Sequence, residues 1–338
     1  MTTMNRTFKS LMLLLCLGIT NDAWAQQNVQ FTQYIFNSMS VNPAYAGYKE
    51  ELFAQLGLRS QWVDLEGAPQ TGLLSVDGLL DLYGARRHGA GVQIMADQLG
   101  PQTATSAYLN YAYRLRLDRE DTQRLSFGIG AGVTQYSLDG NKIFVLDEGD
   151  GALPTGKISN FVPDIRFGIY YHNAKWYAGV SLMDLLSGNT ADNLFRWDQT
   201  TTDRIRRRRH LYIIGGMLVD ISESLKLRPS LLYKDDFKGP ASLDANIMAI
   251  FSDRLWLGVG IRTGASAFRR DYQRFTGDRL SGMNAASFVM QIFATDRLRI
   301  GYSYDYMLSR LNGLQNGSHE VTLGITLGRP LDRVKCYF

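Results

Sequence analysis

From Ala104 to Leu117 the chain alternates with a period of two. Thr105, Ala107, Leu109, Tyr111, Tyr113, Leu115 and Leu117 interleave with Ser106, Tyr108, Asn110, Ala112, Arg114 and Arg116. Successive strand residues point to opposite faces, so this spacing describes a sheet with one apolar side and one small, polar or charged side. The pattern returns at 125–134, 225–231, 298–306 and 320–327. A soluble sandwich also alternates, but its strands run about five or six residues, whereas these run about ten. Short turns fall near 118–121, 172–174, 221–223, 252–254 and 294–297. Longer links, 137–160, 183–209, 235–240, 264–283 and 309–317, lie between them. Short turns at one end and long loops at the other characterise a barrel in an outer membrane.

The fold class expected is therefore all-β: a transmembrane antiparallel β-barrel of about fourteen strands. These are placed near 51–61, 70–79, 87–97, 103–117, 122–136, 161–171, 175–182, 210–220, 223–234, 241–251, 254–263, 284–293, 297–308 and 318–328. An even number puts both termini on one side. Closure follows because an open edge in lipid would leave backbone groups unpaired, at several kcal/mol each. Trp62, Tyr83, Tyr113, Tyr136, Tyr171, Trp176, Tyr233, Phe293 and Tyr306 fall near strand ends and suit interfacial girdles.

The first residues read as an export signal. Arg6 and Lys9 precede an apolar run, Leu11 to Ile19, and Ala23-Trp24-Ala25 precedes Gln26. The run is too short to span a bilayer as a helix. Leu15 before Cys16 is not the small residue that lipidation requires. Removing the segment lowers the net charge from +4 to +3, which is no nucleic-acid signature. It also leaves Cys336 alone, so no internal disulfide staples the mature fold. The organisation expected is a signal peptide at 1–25, a plug-like segment at 26–50 and a barrel at 51–338, in the outer membrane of a Gram-negative bacterium.

The segment before the first strand is aromatic and amide-rich and does not alternate. Phe31, Tyr34, Phe36 and Tyr45 are too densely spaced for a disordered tail. Pro43 excludes a central strand, and Asn42-Pro43 favours a turn. An ordered segment is expected in the lumen or at the periplasmic mouth. Gln30–Asn37, holding Phe31, Gln33 and Tyr34, and Asn42–Gly47, holding Pro43, Ala44 and Tyr45, resemble the opening motifs of the PorP/SprF family of type IX secretion membrane proteins. Arg59-Ser60-Gln61-Trp62, Gly67-Ala68-Pro69, Tyr304–Leu308 and Gly317-Ser318-His319-Glu320 match later family motifs in order. One departure is the tail Arg329–Phe338, which runs past the last expected strand. The resemblance implies a barrel that works with type IX secretion components. It would support export or surface attachment of large adhesins bearing a C-terminal sorting domain. A solute or fatty-acid-type channel with an N-terminal plug is the alternative.

The densest charge run is Arg204, Arg206, Arg207, Arg208 and Arg209. At the end of a long loop it suits lipopolysaccharide phosphates, an acidic partner, or simply a solvated rim. Arg114, Arg116, Lys226, Arg228, Arg262 and Arg299 are expected to line the lumen with Asp164, Asp220, Asp244 and Asp305, pairing with one another. No catalytic constellation or cofactor site stands out. His88, His172, His210 and His319 lack metal-ligand spacing, and His319 reads as a turn cap. The glycines at 128, 130 and 132 precede no helix, so they are no nucleotide loop. Asp147–Gly151 reads as a solvated acidic loop in preference to a Ca²⁺ site.

Overall fold

The computed structural model describes residues 29–81, 84–143, 156–187, 208–237, 241–265, 283–309 and 312–327. The expected signal peptide, Tyr83, Arg204, Arg206, Arg207, the acidic loop at 147–151 and the tail with Cys336 lie outside them. Fourteen antiparallel strands close one barrel among the described residues. They are β1 (Leu52–Ser60), β2 (Gln70–Leu79), β3 (His88–Leu99), β4 (Gln102–Arg116), β5 (Arg124–Asp139), β6 (Lys157–His172) and β7 (Trp176–Met183). Then come β8 (His210–Met217, resuming at Val219–Asp220), β9 (Leu225–Asp235), β10 (Ala241–Phe251), β11 (Leu255–Ala265), β12 (Met283–Phe293), β13 (Leu298–Met307) and β14 (Ser318–Leu327). Each strand pairs with its chain neighbours. The β1–β14 ladder, from Leu52 opposite Leu327 to Ser60 opposite His319, closes the ring.

The interruption in β8 has a local cause. By the register of Ser230 with Gly216 and Leu227 with Val219, Pro229 stands opposite Met217. Proline has no N–H to donate, so the ladder lapses there. The Leu218 N–H instead donates to the Lys175 carbonyl at 2.6 Å, in the neighbouring turn.

The alternation decides which side chains meet lipid. Leu58, Leu109, Ile129, Val259 and Val321 are exposed on the outer face, while Ser106, Tyr108, Asn110, Ala112 and Arg114 are buried within. Arg114, Arg124, Arg228, Tyr45, Tyr170 and Tyr177 are among the largest fully buried side chains, so the interior is aromatic and basic as well as apolar. Two members of the expected lumen set depart from it: Arg116 and Asp220 are exposed near the ends of β4 and β8.

The end carrying both Leu52 and Leu327 also carries the short turns and is the periplasmic one by the general rule. In the β4–β5 turn the Asp118 carboxylate accepts from the Thr122 hydroxyl and from the Gln123 and Thr122 backbone N–H groups, which holds its carboxyl below the usual range. The opposite end is not uniformly long-looped, since β3 and β4 are joined there by Gly100-Pro101 alone. β5 and β6 have sixteen residues each. At about 3.3 Å per residue and a tilt near 40°, such a hairpin is roughly 40 Å tall against a membrane band of ~25 Å. Its outer end carries a separate apolar cluster of Leu138, Tyr136, Ile143, Ile158 and Val162.

That cluster corrects the girdle assignment of Tyr136, which packs with its neighbours across the hairpin. Phe293 also departs from it: the ring packs on the buried Trp256, centroids 5.6 Å apart. Tyr171 and Trp176 do pack together near the short-turn end, with centroids 4.4 Å apart.

Candidate functional site: the plugged lumen

The segment before β1 occupies the lumen as three short 3-10 turns, Thr32–Phe36, Ser38–Ser40 and Pro43–Tyr45. Its sequence explains the form. Proline at the start of the third turn needs no N–H partner, and the Asn42 side chain accepts from the Ala44 N–H at 2.9 Å. Tyr34, Ile35, Met39, Ala44, Tyr45 and Ala46 are all at most 2% exposed. The described part of the segment, from residue 29, thus runs inside the barrel and is not confined to the periplasmic mouth.

Its first turn is held near the long-loop end. The Thr32 N–H donates to Glu320 at 2.8 Å, the Gln33 N–H to Glu320 at 3.2 Å, and the Thr32 hydroxyl to Asp305. Arg59 ties both carboxylates together, 2.7 Å from Asp305 and 3.1 Å from Glu320. Arg262 lies 3.7 Å from Asp305 and 2.9 Å from Asp244, and Asp244 also pairs with Lys234 at 2.9 Å. Six strands and the plug therefore share one ionic network. In a water-poor interior these charges persist because each meets an opposite one.

The third turn meets the opposite wall. Asn42 donates to the Ile169 carbonyl at 3.0 Å, and the Ser181 hydroxyl donates to the Val41 carbonyl. Gly128 faces Ala44 so closely that any Cβ would fall inside the Ala44 backbone, and Gly89 stands likewise against Ala46. Tyr45 stacks on Tyr48, and both rings contact Tyr170 edge-on. The Gly47 N–H donates to Asp77 at 2.9 Å, with φ of +73° that favours glycine. At the periplasmic rim Glu50 pairs with Arg86 at 2.9 Å and Arg114 at 3.1 Å.

Of the motif residues named from sequence, the structure brings Gln33, Tyr34, Asn42, Pro43, Ala44, Tyr45, Gly47, Arg59 and Glu320 into this buried assembly. Phe31 lies beside it, half-buried. Trp62 and Pro69 belong to the β1–β2 connection, where the Gln61 N–H donates to the Pro69 carbonyl at 2.9 Å. His319 is corrected. It caps no turn but lies within β14, its ring beside Tyr304 and its Nδ1 2.8 Å from the Tyr302 hydroxyl. Of the arginine run, Arg208 and Arg209 lead into β8, and Arg209 Nε donates to the Ser187 carbonyl at 3.2 Å. Sequence spacing does not mark Lys49, Glu50, Asp77 or Arg124, whose partners include Phe36, Arg114, Gly47 and Arg86, 13 to 64 residues away.

A fourteen-stranded wall encloses more space than an eight-stranded one, whose own side chains fill it. Deleting residues 26–48 is expected to turn a silent barrel into an ion-conducting one in planar bilayer recordings. A truncated barrel that inserts but stays silent would show that wall side chains alone seal the lumen.

Solved outer-membrane barrels align along most of the chain. A mutant TodX monoaromatic hydrocarbon channel is 11% identical with a TM-score of 0.46, covering 88% of this chain and 94% of that one. Omp33 of Acinetobacter baumannii is 9% identical with a TM-score of 0.44, covering 82% and 99%. A truncated BamA of Haemophilus ducreyi is 10% identical with a TM-score of 0.42, covering 82% and 70%. No curated protein sequence matches the chain. The family model described as type IX secretion system membrane protein PorP/SprF matches residues 23–325. With nearly all of its length matched, this outer-membrane barrel belongs to the PorP/SprF family of type IX secretion system membrane proteins.

Proposed function

We propose that this barrel docks exported polypeptides and retains them at the cell surface, with no bond chemistry of its own. The observation that carries the reading is the filled lumen. The plug is pinned by Glu320, Asp305 and Arg59 at one level and by Glu50 with Arg86 and Arg114 at the other. A barrel sealed in this way offers a platform more readily than a conduit. The partners fitting this role are large adhesins with a C-terminal sorting domain, met at the long-loop end. The short turns would meet type IX secretion components. Arg204–Arg209 would contact lipopolysaccharide phosphate or an acidic stretch of the partner, and export would follow cleavage after Ala25.

Two experiments test this. Surface proteomics with and without the gene is expected to show one or a few large exported proteins leaving the cell surface. An unchanged surface proteome with reduced uptake of a solute would favour transport instead. Deleting loop residues 183–209 is expected to release the surface partner into the medium while the barrel still inserts. Undiminished retention would remove that loop from the docking surface.

A further inference from the structure

Beside the plug the lumen holds a small cavity of about 50 Å³ that opens at its mouth. Met183, Tyr212 and Lys234 line it from the long-loop ends of β7, β8 and β9, and Val29–Phe31 line it from the start of the plug. Two cations, Arg166 and Lys234, are among its described lining residues, and no carboxylate is. The Arg166 guanidinium lies on the Tyr108 ring, 3.2 Å from its centroid, and Nη1 donates to Gln93 at 3.1 Å. Its Nε is buried without a hydrogen bond and forms a long ion pair with Asp164 at 3.8 Å. Lys234 shares the single charge of Asp244 with Arg262. Its ammonium has three donors, and one of them serves Asp244. The rest of the wall is apolar and adaptable, with Met95, Met183 and Leu232.

We propose that this cavity binds a carboxylate carried on an apolar chain, the anion held by Arg166 and Lys234 and the chain lying along Met95, Met183 and Leu232. A stacked guanidinium is pre-organised for such an anion, and methionines accommodate an apolar chain of varied shape. A fatty acid and the C-terminal residue of an extended polypeptide share this chemistry. The inference concerns what the cavity holds and stands apart from the surface-retention reading.

The test uses the full-length barrel in lipid nanodiscs. Three probes are titrated by fluorescence anisotropy: a fluorescein-labelled peptide ending in Ala-Val-Leu with a free carboxylate, the same peptide as its C-terminal amide, and dansyl-undecanoate. Saturable binding of at least one free carboxylate is expected, and which one binds identifies the source. For the peptide, the amide is expected to bind about tenfold more weakly or worse. Arg166→Gln is expected to weaken the carboxylate probe by a similar factor. Met183→Trp, which adds bulk to the cavity wall while keeping both cations in the sequence, is expected to abolish binding, and cold-gel mobility checks that each variant is folded. The proposal is overturned if neither carboxylate binds, if acid and amide bind alike, or if Met183→Trp leaves binding intact, the last marking partition into the bilayer.

Discussion

Replacing Gly128 by alanine is expected to expel the N-terminal segment or prevent the barrel from assembling around it. The added methyl would fall within the backbone of Ala44, and backbone on both sides leaves no flexible side chain to yield. Ordinary overpacking of a core costs about 1–3 kcal/mol because side chains shift; here the shift required is of the plug itself. Gly57→Ala supplies the control. It adds the same methyl to the same face of another strand, where the nearest atom is the Thr322 methyl at 3.6 Å, an ordinary contact. The measurement is the fraction of protein migrating as folded barrel on unheated gels, together with protease cleavage within the N-terminal segment. Cleavage in Gly128→Ala but not in Gly57→Ala is the expected pattern. Equal protection in both would mean that the plug does not lie against β5 as described.

The second large effect is expected from Arg59→Met. Asp305 and Glu320 are each 1% exposed, and Arg59 is the cation that touches both. Removing one partner of a buried ionic group costs about 3–5 kcal/mol, mostly from the charge left behind. Arg262 moderates the loss at Asp305 alone. Glu320 also accepts the Thr32 and Gln33 N–H groups, so the damage is expected to reach the plug. Urea unfolding of the barrel in lipid vesicles is the assay, and a midpoint well below that of the unsubstituted chain is expected. Adding Glu320→Gln to Arg59→Met is expected to restore part of the loss by removing one stranded charge. A midpoint that Arg59→Met leaves unmoved would show that packing, without the ion pairs, fixes the segment.

The role of Arg59 shows how a motif can be visible without its meaning. The sequence singles out Arg59, His319 and Glu320, but it cannot say that Glu320 faces the lumen with Arg59 while His319 faces outward. That follows from register: Arg59 pairs opposite Glu320, and Ser60 opposite His319. A shift of one residue would exchange their faces. The same limit misplaced Phe293 and Tyr136. Proximity to a strand end says nothing of side, and both rings take the lumen side, Phe293 against Trp256 and Tyr136 in the cluster with Leu138.

What the sequence alone determined is the barrel. A period of two over strands of about ten residues, with lipid on one face, leaves closure as the way to pair every backbone group. The signature is local, so it survives reading one residue at a time. What only the tertiary structure decided is the interior. The plug has no period of its own, and its first turn bonds to Ser303, Asp305 and Glu320, 270 or more residues away. Such contacts exist only once β14 has closed on β1 and brought both ends of the chain to the same wall.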